Sequence, residues 1–95
     1  MAAKPARWGR KDPNEPVIHE LPPLMFEGEA VPLRLAVRRT EDGTWRARLI
    51  FGSAEVEEAP FTAEIFCCAN ESELWQAVRE LPHYHMCDLY RSLAT

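Results

Sequence analysis

Two alternating stretches, residues 33–38 and 45–51, flank Thr40-Glu41-Asp42-Gly43-Thr44, and together they leave the chain little freedom. Leu33, Leu35 and Val37 alternate with Arg34, Ala36 and Arg38; Trp45, Ala47, Leu49 and Phe51 alternate with Arg46, Arg48 and Ile50. A strand turns successive side chains to opposite faces, so each arm has one apolar face. A loop of Glu41, Asp42 and Gly43 suits a type I turn followed by a left-handed residue, which glycine adopts without a Cβ penalty. Closing on Thr40 opposite Thr44 sets Val37 against Ala47, Leu35 against Leu49 and Leu33 against Phe51. Turn and pattern then agree on one register, with every apolar pair on one side.

The rest of the chain is read onto this hairpin. Residues 1–16 hold Lys4, Arg7, Arg10 and Lys11 among prolines, without periodicity, and read as a disordered basic tail. Residues 17–32 carry Val17, Ile18, Leu21, Leu24, Met25 and Phe26, but Pro16, Pro22, Pro23 and Pro32 forbid a helix. An extended arm is expected, with a candidate short strand at residues 24–26. Residues 52–60 form a glutamate-rich loop. Residues 61–68 alternate as a strand, with Phe61, Ala63, Ile65 and Cys67 on one face and Thr62, Glu64, Phe66 and Cys68 on the other.

Asn70 followed by Glu73 is a helix-start signature, and Leu74, Trp75, Val78 and Leu81 fall on one face. Pro82 ends that helix and is tolerated at the start of another, whose stripe is Met86, Leu89, Tyr90 and Leu93. The expectation is an α+β fold in the order β-β-β-α-α. It has a three-stranded antiparallel sheet, four-stranded if residues 24–26 join it, with two C-terminal helices on its apolar face. Residues 1–23 are assigned to a basic, proline-rich tail and arm, and residues 24–95 to one small domain.

Charge and composition exclude more than they identify. From Val17 onward seven Lys and Arg stand against thirteen Asp and Glu, a balance of −6 that disfavours broad binding to nucleic acid. No apolar run is long enough to span a bilayer. The basic N-terminus lacks a following apolar segment of the secretory type. Three cysteines, two of them adjacent, make no disulfide framework, which points to a reducing cytoplasmic setting. A domain this small is marginal alone, so dimerisation or a covering partner is expected.

Two constellations carry chemistry. In the hairpin register Arg34, Arg38, Arg46 and Arg48 share the face opposite the apolar set. Arginine's planar fork suits carboxylate and phosphate alike. Glu64 or the residue 55–58 loop is the internal counter-charge to weigh against a partner, and Phe66 is the candidate aromatic on that face. The second constellation is His83 and Cys87, four apart on a helix and so on one side of it. They are weak candidates for zinc, with Cys67 or Cys68 as a third ligand, or, with Asp88, for a nucleophile, base and orienter. No C-x-x-C, phosphate loop or oxyanion hole accompanies them, so neither an enzyme nor a cofactor is expected. The expected function is a small interaction module that binds a protein partner or itself, with the arginine face as contact surface. The alternative is a nucleic-acid accessory role using that face and the basic tail.

Overall fold

The structure, a computed structural model, describes residues 16–94. Its elements are β1 (Val17–Phe26), β2 (Glu29–Arg39), β3 (Trp45–Phe51), β4 (Phe66–Cys68), α1 (Glu71–Glu80) and α2 (His83–Ala94). The strands form one antiparallel sheet in the order β1-β2-β3-β4, and the two helices follow it, an α+β arrangement.

The central hairpin has the register that its turn dictates: Val37 pairs with Ala47, Leu35 with Leu49 and Leu33 with Phe51. The Thr40 N–H donates to the Thr44 carbonyl at 2.9 Å and the Gly43 N–H to the Thr40 carbonyl at 3.0 Å. Gly43 sits at φ 90°, a conformation open to glycine and strained for a branched residue. Asp42 braces the loop from inside, accepting from the Thr44 N–H at 3.1 Å and the Thr44 hydroxyl at 2.9 Å, and from Thr40. These bonds, the one from Thr40 foremost, hold its carboxyl down at about 2.

The expected arm is a full strand. Residues 17–21, assigned by sequence to the segment ahead of the domain, pair with residues 33–37 of β2; residues 24–26 pair with 29–31. The register shift between Leu21 and Leu24 is where Pro22 and Pro23 lie, so the prolines sit at a bulge and take no donor from the ladder. Glu27 (φ 51°) and Gly28 (φ 84°) close β1 onto β2, the two positive angles that a two-residue hairpin turn needs. The tail, through residue 15, lies outside the described residues.

The expected strand over residues 61–68 is shorter than its pattern. Phe61 makes a single bridge to Ile50, and the ladder resumes only at Phe66, opposite Ala47. Thr62 is the cause. Its N–H donates to the Leu49 carbonyl at 2.9 Å, but the Leu49 N–H donates to the Thr62 hydroxyl at 3.1 Å rather than to a backbone carbonyl. That hydroxyl donates in turn to the Ala63 carbonyl at 2.6 Å. A side chain has taken a ladder position, and residues 62–65 bulge.

The core lies between the sheet and the helices: Leu24, Leu33, Leu35, Val37, Ala47, Leu49, Phe51 and Phe66 from the sheet, with Leu74 of α1 fully buried among them. The Asn70 side chain caps α1, accepting from the Glu73 N–H at 2.8 Å, while Glu73 reaches back to the Ala69 N–H at 3.3 Å. Trp75 and His19 pack edge to face, centroids 5.0 Å apart. Tyr90 of α2 packs on Phe26 and Phe51. Leu93, expected in the α2 stripe, is exposed.

Candidate functional site

With the helices on the apolar side, the opposite face of the sheet carries Arg34, Arg38, Arg46 and Arg48. Pairing sets Arg38 against Arg46, Arg48 against Ala36 and Arg34 against Ile50. The bulge at residues 62–65 turns Glu64 to the arginine face while Phe66 stays in the core. The Arg38 guanidinium donates to both Glu64 oxygens, Nε at 2.6 Å and Nη2 at 2.9 Å. Arg48 reaches the same carboxylate at 3.9 Å. The Arg38 bonds lead in holding the Glu64 carboxyl below the usual range; desolvation opposes them, and the charges of Arg38, Arg48 and Arg46 add to them. Arg34 is held differently: its Nε donates to the Gly52 carbonyl at 2.9 Å and its Nη2 to the Ser53 carbonyl at 3.2 Å. Arg46 shares in lowering Glu64 and Asp42 through its charge.

The aromatic on this face is Phe61, not Phe66. Phe66 is 7% exposed and points into the core, whereas Phe61 is 53% exposed with the Arg48 guanidinium 5.1 Å from its ring centre. Parity alone left the choice open, because the bulge places residues 61 and 66 on opposite faces, as alternation requires, yet frees Glu64 from the core side. A cleft of about 400 Å³ runs beside Phe61, lined by Arg34, Ile50, Val56, Glu57, Glu58 and Ala59.

The second constellation is assembled only in part. His83 and Cys87 lie together on α2, Sγ at 3.6 Å from Nε2 and 3.9 Å from Nδ1. A sulfur nearly equidistant from both ring nitrogens lies on neither lone-pair axis, so the pair has no ready metal bite. His83 Nε2 instead lies 2.9 Å from the Met25 carbonyl and donates to it. Cys67 faces the arginine side opposite Arg46, and Cys68 pairs with Trp45. Both belong to β4, at the far edge of the sheet from Met25, and neither supplies the expected third ligand. Burial, with lesser contributions from Glu73 and Cys67, pushes the Cys68 thiol up. Asp88 is engaged by Arg91 at 2.9 Å. Among the described residues no three His, Cys, Asp or Glu side chains come together as a metal site.

The chain matches no protein-family model, no characterised protein and no solved structure.

Proposed function

We propose that this domain is a small interaction module, without catalytic activity, that binds a protein partner through the arginine-bearing face of its sheet. One observation carries the reading: four guanidinium groups share that face, and among the described residues a single carboxylate, Glu64, lies within ion-pair distance of any of them. Such a face retains capacity for further acceptors, since each guanidinium has five donors, and half-exposed Phe61 adds apolar contact. A protein partner suits it better than nucleic acid. Glu57 and Glu58 line the cleft beside Phe61, and a uniform polyanion would meet their repulsion, whereas a protein surface answers both signs.

The test is affinity capture from the native cell with wild type and Arg46→Glu. Arg46 is the right site to reverse, because Arg38 is engaged with Glu64 and Arg34 with the 52–53 backbone. The variant should fold as wild type by circular dichroism and lose its captured partner. Retained capture by a folded variant refutes the reading.

A further inference from the structure

The structure assigns a second interaction surface, independent of the arginine face: the outer edge of β1 at residues 17–21, where a second copy of this chain pairs antiparallel about His19. β1 is the long edge of the sheet, and a free edge invites another strand unless something blunts it. The Phe26 end is blunted. Its outward carbonyl, Met25, accepts from His83 of α2 at 2.9 Å, and Pro22 and Pro23 occupy the bulge. Residues 17–21 have neither protection.

Which backbone groups face outward follows from the ladder. Antiparallel residues alternate between exchanging both hydrogen bonds with the partner strand and aiming both away from it. Leu49 and Phe51 bond to residues 62 and 60, on the side away from β2. Leu35, the partner of Leu49, therefore aims at β1, where it pairs with His19. Val17, His19 and Leu21 thus bond inward to β2, and Ile18 and Glu20 aim their N–H and C=O groups outward. No described residue bonds to these groups. On either side of them, in the same outward phase, stand Pro16 and Pro22, which have no N–H to offer.

That arrangement is symmetric about His19, and the symmetry selects the occupant. A twofold axis at His19 sets Ile18 against the partner's Glu20 and Glu20 against the partner's Ile18. Each pair exchanges both hydrogen bonds, so every outward donor and acceptor of the two residues is matched. The next positions set Pro16 against the partner's Pro22, where neither side leaves a donor unmet, and the ladder stops. A second copy presents the same edge in the same phase, so one surface serves as both halves of the contact. On the helix side Val17, 44% exposed, meets the partner's Leu21; on the other side Ile18, 45% exposed, lies over the partner's Glu20. The product is a continuous eight-stranded sheet with all helices on one face.

The register makes the test specific. The full-length protein is followed by sedimentation velocity across the micromolar range, beside two variants whose fold is checked by circular dichroism. Ile18→Glu places like charges opposite Glu20 twice per dimer and should weaken association by roughly tenfold or more. Ile18→Lys, equally polar, places an opposite charge there and should dimerise close to wild type. A wild-type protein that stays monomeric at every concentration overturns the proposal, as do two variants impaired alike.

Discussion

Thr62→Val asks whether one hydroxyl interrupts the sheet and so turns Glu64 to the arginine face. The substitution keeps the β-branched shape and removes the oxygen. Thr62 is 4% exposed and Leu49 fully buried, so the Leu49 N–H would lose its acceptor with no water to replace it. A buried donor left unsatisfied costs about 1–3 kcal/mol. The new methyl recovers up to about 0.8 kcal/mol by burial. The Ala63 carbonyl, on an exposed residue, turns to solvent at little cost. The net is a loss of about 1–2 kcal/mol, which lowers the midpoint by roughly 4–8 °C for each kcal/mol in a domain of this size.

Thermal melts by circular dichroism give the magnitude, and amide hydrogen exchange at Leu49 identifies its source. In Thr62→Val that amide should exchange faster. In Thr62→Ser, which keeps the oxygen, it should stay protected even though the lost methyl costs some stability. A valine variant that melts with wild type and keeps Leu49 protected would refute the reasoning. It would mean that residues 61–66 can zip into the regular strand their alternation describes, with a backbone carbonyl in place of the hydroxyl.

Leu74→Ala removes the one fully buried side chain of α1 and should cost about 2–5 kcal/mol, measured by urea titration. Gly43→Val, at φ 90°, should cost about 1 kcal/mol or more although no neighbour obstructs its Cβ; an unchanged midpoint would mean the loop can adopt another turn. Asp42→Asn should lower the midpoint at neutral pH. Because the folded-state pKa of Asp42 is depressed to about 2, its contribution is full above the unfolded carboxylate value of about 3.9 and is lost as pH falls through about 2. The wild-type and variant melting curves should therefore converge at low pH, and a gap that persists in acid would count against the Thr40 and Thr44 bonds as its source.

The hairpin was legible because two independent signals, the Gly43 loop and the apolar alternation, demand the same register. β1 was hidden by its prolines, which as residue types argue against a strand. In place they cost nothing: Pro22 aims its missing donor away from β2 and Pro23 sits in the bulge, while Pro32, on β2, lies beyond Phe51, where β3 has ended. The signal available was Glu27-Gly28 between two apolar segments, weaker than Asn-Gly but of the same kind. The 61–68 segment misled in the opposite way. Its alternation is real, yet Thr62 can fill a ladder site with its own side chain, and no periodicity records that choice. The arginine face was legible from register alone; its counter-ion depended on the bulge, and Phe61 as its aromatic depended on which face residue 61 took.

The engagement of Arg38 by Glu64 bears on what the proposed contact surface can do. On charge alone, a counter-ion already in place competes with any partner carboxylate. But the fork uses only Nε and one hydrogen-bonding position on Nη2, leaving other donors of the guanidinium unspent. What the bidentate bond fixes is the plane of the group, and with it much of the rotamer freedom that binding would otherwise have to remove. The same holds for Arg34 through the carbonyls of Gly52 and Ser53, and for Arg48 between Glu64 and the Phe61 ring. On the proposed reading these three are a held framework, and Arg46 is the cation left to answer a partner directly. Charge reversal at Arg46 is therefore the cleaner probe of recognition, whereas changes at Arg38 or Glu64 would act on the framework and on recognition at once.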